Sequence, residues 1–324
     1  MHESHAPLLS IEGLSIHFPL QSGSIQAVTD ASFTVAAGET LALVGESGCG
    51  KSVTAAAILR LLPEPGRIAA GRILFDGSDV LSFNPDRVRS MRGGEIGMIF
   101  QDPMTSLNPV FRVGDQISEA LTVHKRIGRR EAMDAAAGLL GRVGIPSPEE
   151  RCRAYPHELS GGMRQRIMIA MAISCAPRLL IADEPTTALD VTIQAQIMAL
   201  LDDLRTGSDM GMLLITHDLG IVAQHTQRIC VMYAGRILEQ GPTREVLAAP
   251  LHPYTKGLLD SLPQNTPPGT PIRTIQGSLP PPTDLPDGCP FQDRCPLVAA
   301  VCREQLPPLA DRSAGHSVRC WMVP

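Results

Sequence analysis

Aromatic residues are scarce in this chain: seven Phe, three Tyr and one Trp among 324 residues. Proteins that grip nucleic acid by stacking its bases rely on aromatic platforms, so the shortage argues against that class. A basic surplus is missing too. The formal net charge is −5, the wrong sign for a general nucleic-acid binder. Although 44% of the residues are hydrophobic, no run reaches the roughly 18–20 apolar residues that a membrane helix needs. The opening Met1-His-Glu-Ser-His-Ala-Pro has neither the basic nor the apolar segment of a secretory signal. Together these absences predict a cytoplasmic protein that reaches a membrane only through a partner. Its eight cysteines are then not a disulfide framework. Cys49, Cys152, Cys175 and Cys230 are scattered and read as small core or loop residues, whereas Cys289, Cys295, Cys302 and Cys320 crowd the C-terminal end.

The stretch Gly45-Glu46-Ser47-Gly48-Cys49-Gly50-Lys51-Ser52 fits G-x-x-x-x-G-K-[ST]. An apolar run, Leu41–Val44, precedes it as a strand, and Val53–Leu62 follows it as a helix. This strand–loop–helix context separates a phosphate-binding loop from an ordinary glycine-rich turn. Glycine permits the tight wrap that turns successive N–H groups inward, and the helix N-terminus adds partial positive charge. Lys51 is expected to reach the terminal phosphates and Ser52 to meet Mg²⁺. The nucleotide-binding set expected from this stretch is Gly45, Glu46, Ser47, Gly48, Cys49, Gly50, Lys51, Ser52 and Val53.

Strand-like alternation fills residues 8–35, and Gly71–Gly77 and Glu95–Phe100 read as further strands. Helical spacing takes over from Val113 to about Cys175. Strands resume at Leu179–Asp183 and Met212–Thr216, separated by an amphipathic helix marked by Ile193, Ile197, Leu200, Leu201 and Leu204. The alternation predicts an α/β fold: a mainly parallel sheet with helices on both sides, a smaller antiparallel β layer and an inserted helical subdomain at about 112–175. From Pro263 onward, 13 of the 28 prolines fall in 62 residues, which predicts a loop-rich tail over 261–324 after a main domain spanning 8–260.

Two further motifs carry chemistry. Leu179-Leu-Ile-Ala-Asp183-Glu184 ends a buried strand on two carboxylates. Asp183 is placed for Mg²⁺, and Glu184 for polarising an attacking water. The alternative is a solvated acidic strand end. Leu159-Ser160-Gly161-Gly162 opens a helix and offers a second anion site, unless Ser160 is only an N-cap. A second phosphate site makes sense when two copies meet and each closes the other's nucleotide.

In order, the phosphate loop, Gln101, Ser160-Gly-Gly162, Asp183-Glu184, Ala188-Leu-Asp190 and Thr216-His-Asp218 resemble the ATP-binding-cassette (ABC) ATPases over roughly residues 8–260. The resemblance implies a head-to-tail dimer with two ATP molecules between the cassettes. Gln101 would contact Mg²⁺ and the attacking water, and Asp190 would lie across the dimer interface. His217 would hold the γ-phosphate near Glu184, and Phe18 would stack on adenine. Phe100-Gln-Asp-Pro-Met-Thr-Ser-Leu-Asn-Pro109, Ser160-Gly-Gly-Met-Arg-Gln-Arg166, Pro250-Leu-His-Pro-Tyr-Thr-Lys256 and the cysteine tail are similar to the oligopeptide/dipeptide importer ATPases. That implies a peripheral subunit on the cytoplasmic face of the inner membrane. Its partners would be a second ATPase subunit, identical or related, two membrane permease subunits and, indirectly, a solute-binding protein. Nickel or glutathione import within the same family is the alternative, followed by a non-transport ABC ATPase acting on nucleic acid. The latter would need coiled-coil arms, a second cassette or a basic surface, and the sequence has none of these.

Cys289, Cys295, Cys302 and Cys320 are separated by five, six and seventeen residues. Four thiolates in a proline-rich segment suggest a tetrathiolate metal site. The spacings lack the close C-x₂-C pairs of zinc ribbons. By resemblance to importer ATPases with similar tails, a [4Fe–4S] cluster is the favoured occupant, with zinc or unligated thiols as alternatives.

Overall fold

The computed structural model describes residues 6–20, 23–102, 106–187, 189–262, 274–313 and 315–323. Ala188, residues 103–105 after Gln101 and residues 263–273 of the tail lie outside the described residues. The chain divides into two units. One holds Met1–Val35, Thr40–Leu81 and Thr216–Pro324; the other holds Ala36–Glu39 and Ser82–Ile215.

In the first unit, strands β1 (Leu9–Leu20) and β2 (Gly23–Val35) pair antiparallel. Strands β4 (Arg67–Phe75) and β5 (Ser78–Asp79) complete a sheet in the order β2-β1-β4-β5. Leu9, Ile11, Leu14 and Ile16 are all buried, although irregular register between Ile11 and Ile16 interrupts strict alternation. This is the antiparallel layer expected from the sequence. Strand β3 (Thr40–Val44) is buried along its whole length and runs parallel to β9 (Arg228–Tyr233), as a strand covered on both faces should be. From β9 the order continues antiparallel through β10 (Arg236–Pro242) to β12 (His316–Val318) and β11 (Ala310–Ser313). Helices α1 (Lys51–Ile58), α8 (Leu219–His225), α9 (Thr243–Ala248), α10 (Pro253–Asp260) and α11 (Ala300–Glu304) complete the unit.

The tail departs from the loop-rich expectation, because two of its strands join a sheet. The reason is a buried polar node. Glu239 on β10 is fully buried and accepts from the amides of Leu251 (2.7 Å) and His252 (3.0 Å), and its Oε1 lies 2.7 Å from His316 Nε2 on β12. A buried carboxylate needs such partners, and one of them comes from the tail. Helix α1 also ends earlier than the apolar pattern suggests, since Arg60 takes a left-handed φ of 54° and Pro63 follows.

In the second unit β8 (Gly211–Thr216), β7 (Leu179–Asp183) and β6 (Ile96–Ile99) lie parallel in that order. Helices α2 (Pro85–Gly94), α3 (Val113–Lys125), α4 (Arg129–Arg142), α5 (Pro148–Arg151), α6 (Gly161–Ile173) and α7 (Val191–Arg205) belong to it. The predicted helical block thus corresponds to α3 through α6. On α3, Asp115 in the first turn and Lys125 in the last complement the helix dipole. The buried face of α7 is Ile197, Met198, Leu201 and Leu204; Met198 joins the predicted stripe, while Ile193 and Leu200 are only half-buried.

Candidate functional site

In the first unit the phosphate loop runs from the end of β3 into α1. Three glycines take left-handed or related positive φ values: Gly45 at 154°, Gly48 at 82° and Gly50 at 109°. Two of them also sit against backbone. A Cβ on Gly45 would lie 2.1 Å from the Met232 carbonyl oxygen, and one on Gly50 would lie 2.5 Å from that of Ala27. No side chain fits there. The Gly235 amide donates to the Cys49 carbonyl at 2.9 Å and fastens the loop to the β9–β10 hairpin.

Lys51 is buried, and its ammonium donates to the carbonyls of Gly45 (2.8 Å) and Glu46 (3.0 Å). The loop therefore wraps its own lysine, with the charge held against carbonyl oxygens at the mouth of α1. Cys49 is buried, and burial pushes its thiol pKa up despite the neighbouring Lys51 ammonium. A raised pKa in a closed position leaves little reactive thiolate. Phe18 is half-buried on β1, and its ring edge lies against Gly66, where a Cβ would come within 2.5 Å of Cε1. His217 is exposed at the end of β8. The next residue, Asp218, caps α8 by accepting from the amides of Gly220 (2.7 Å) and Ile221 (3.3 Å).

In the second unit every residue of β7 is buried, including Asp183 at 4% exposure. A carboxylate so enclosed at a strand end is a suitable ligand for a hard divalent cation. Glu184 follows with φ at 47°, a conformation uncommon outside glycine, and its amide donates to Ile215 at 2.8 Å. Its Oε2 accepts from Gln101 Nε2 at 3.0 Å and from the Thr187 hydroxyl at 2.8 Å. Gln101 and Glu184, 83 positions apart, are thus brought together as a pair.

Helix α6 starts at Gly161 with Ser160 as its N-cap, whose hydroxyl accepts from the Met163 amide at 3.4 Å. Ser160 and Gly161 are exposed and Gly162 is half-buried, so the donor-rich end of the helix faces outward. Further along, the Gln165 amide is buried and donates to the Pro185 carbonyl, tying the helix to the turn that carries Glu184. Asp190 is exposed and caps α7 through the Ile193 amide at 3.0 Å. Sequence reasoning missed Thr187 and Gln165. Thr187 lies in the turn itself, whereas Gln165 is 20 positions from its partner Pro185 and left no local signal.

The tail cysteines gather but do not form the expected centre. The Cys289 amide donates to the Cys302 carbonyl at 2.7 Å, and Cys289 feels Cys295, Cys320 and Cys302 electrostatically. Burial first, then these neighbours, pushes Cys289 up to about 11. Cys295 and Cys320 are also raised, chiefly by burial. Among the described residues no group of three or more His, Cys, Asp or Glu is arranged to hold a metal ion. The four cysteines are thus neighbours without an assembled ligand set. Four soft sulfur donors suit a thiophilic metal in kind.

Residues 28–187 match the ABC transporter family, and residues 238–302 match the oligopeptide/dipeptide transporter C-terminal region. The chain is 52% identical to a putative peptide import ATP-binding protein of Brucella abortus (strain 2308), covering 98% of this chain and 97% of that protein. It is 49% identical to a dipeptide transport ATP-binding protein of Bacillus subtilis (strain 168), covering 97% and 94% respectively. Among solved structures, a dimeric ATP-binding cassette in a post-hydrolysis state bound to ADP and Pi shares the fold. Its TM-score is 0.66 at 24% identity, over 73% of this chain and 99% of that one. The cbiO1 protein of Clostridium perfringens, part of the ABC transporter complex cbiONQ, has a TM-score of 0.64 at 29% identity, over 76% and 92%.

Proposed function

The chain belongs to the ABC transporter ATPases, in the branch that carries the oligopeptide/dipeptide C-terminal region, and from that premise we propose that it is the energy-coupling subunit of a di- or oligopeptide importer. ATP is its substrate. The observation that carries the chemistry is the Glu184 carboxylate, held at the end of a buried strand by Gln101 and Thr187. A carboxylate fixed in this way is suited to orient and polarise a water for attack on a phosphoryl group.

The remaining residues take roles consistent with their surroundings. Gly45 through Val53 cradle the triphosphate, and Lys51 moves from the loop carbonyls to the phosphate oxygens. Ser52, Asp183 and Gln101 hold Mg²⁺, which when bound neutralises charge on the phosphates. His217 contacts the γ-phosphate, and Phe18 stacks on adenine. Ser160, Gly161 and Gly162 offer their helix N-terminus to the nucleotide of a second cassette, with Asp190 across the same interface. The exposure of Ser160, Gly161 and Asp190 supports this reading. The partners are a second ATPase subunit, two permease subunits at the cytoplasmic face of the membrane and, through them, a solute-binding protein. Among the described residues no helix is long and apolar enough to cross a membrane.

Glu184→Gln tests the chemistry. The variant should bind ATP as the parent does and lose about 10²–10⁴-fold in turnover, with closed dimers accumulating in size-exclusion chromatography. Hydrolysis at the parent rate would remove Glu184 from its role.

The four tail cysteines bind a metal in this reading, a [4Fe–4S] cluster before zinc. Support comes from their number, their softness and their mutual proximity. Anaerobic purification followed by iron, sulfide and zinc analysis decides the matter. Four irons per chain are expected, one zinc would select the alternative, and a metal-free protein would reject both.

A further inference from the structure

Glu46 is the only acidic residue in the phosphate loop of residues 45–52, and it stands where a triphosphate is expected. All its polar groups are engaged. Its carbonyl accepts from Lys51 at 3.0 Å, and its amide donates to the Tyr254 hydroxyl at 2.9 Å. Its carboxylate accepts from Arg294 Nη1 at 2.9 Å, 248 positions away in the C-terminal tail. Arg294 is 6% exposed in its side chain. Its Nε donates to the Gln276 carbonyl at 3.0 Å, Nη2 to that of Ile275 at 3.4 Å, and Nη1 also to the Tyr233 hydroxyl at 3.3 Å. The guanidinium lies 5.7 Å from the Tyr233 ring centre and 5.9 Å from that of Phe291. It is a fixed, enclosed charge, and an enclosed charge of this kind is costly to leave without its partner.

We propose that Arg294 is a positioning residue for the phosphate loop: it neutralises Glu46 and turns that carboxylate away from Lys51, so the tail sets the affinity for ATP. The inference rests on the ATPase reading above and adds a control to it. Without the guanidinium, the freed carboxylate belongs to the residue whose carbonyl already binds the Lys51 ammonium. Glu46 would then compete with the phosphates for Lys51 and repel them directly. Arg294 sits in the short turn Gln292–Arg294, immediately before Cys295. Rearrangement of the cysteines would therefore be felt at the phosphate loop through this side chain.

The test is the Kd of the purified full chain for the fluorescent analogue TNP-ATP, together with KM and kcat of the assembled complex for ATP. Arg294→Met should raise Kd and KM about tenfold, with kcat changed less than about twofold. Adding Glu46→Gln to Arg294→Met should return Kd to within about threefold of the parent, because the competing charge is gone. A merely structural role predicts no such rescue, since the second substitution removes still more contacts. Should Arg294→Met fail to fold, Arg294→Lys keeps the charge without the fork and should raise Kd above the parent's by less than the tenfold expected of Arg294→Met. A Kd equal to the parent's in a folded Arg294 variant, or a double variant no better than Arg294→Met, overturns the inference. A parent chain that binds no ATP would instead overturn the ATPase reading itself.

Discussion

His252 is closed off from water, its Nδ1 accepts the Tyr254 amide at 3.0 Å, and its Nε2 has no hydrogen-bond partner among the described residues. The ring lies 5.8 Å from Phe291 in an edge arrangement. Burial lowers its pKa from 6.5 to about 3, so the folded chain keeps the neutral imidazole while the unfolded chain takes up a proton near pH 6.5. Between about pH 6.5 and 3 the unfolded state binds more protons. The stability that depends on a neutral His252 is therefore present above pH 6.5 and is lost as pH falls, at up to about 1.4 kcal/mol per unit. Thermal unfolding from pH 7 to pH 5 should show a falling Tm. His252→Asn keeps an acceptor without titrating and should flatten that slope by about one proton. Because His252 positions Tyr254, which holds the Glu46 amide, this residue supports the phosphate loop without touching its ligand.

The helix elements present their N-termini differently, and that difference separates structural caps from candidate anion sites. Asp218 and Asp190 both cap helices with carboxylates, which fill the anion position themselves. Ser160 caps α6 with a neutral hydroxyl, and the two glycines after it leave the helix end bare. A Cβ at Gly161 meets nothing within 4 Å, and its φ is ordinary. Gly161→Asp should accordingly fold with a Tm within a few degrees of the parent. The added carboxylate should repel a partner's γ-phosphate and reduce turnover by about 100-fold or more, while a single chain still binds ATP. A matched loss of Tm and activity would make the motif structural. The sequence made this motif legible, as it did the phosphate loop, because each is a run of a few residues whose glycines and hydroxyls sit next to the helix they serve. It did not reveal the Arg294–Glu46 pair, the Glu239–His316 node or the Gln101–Glu184 bond, since each joins distant positions by tertiary packing. Proline content likewise predicted an irregular tail, yet burial of His316 against Glu239 gives it two strands.

For the whole molecule, the functional residues are distributed over both units. The phosphate loop, His217 and the tail belong to one; Gln101, Asp183, Glu184 and the exposed Ser160-Gly-Gly162 end belong to the other. The tail belongs to the same unit as the phosphate loop and packs its Phe291, Cys289 and Cys302 into a core with Tyr233 and Tyr254. The most direct measurement of the central claim is the ATPase rate of the reconstituted complex: this chain, its partner cassette and both permeases in lipid. Adding a solute-binding protein loaded with a di- or oligopeptide should raise the rate severalfold, with little response to nickel- or glutathione-loaded proteins and none to DNA or RNA. A rate indifferent to peptide-loaded protein, or one raised by nucleic acid instead, would contradict the account.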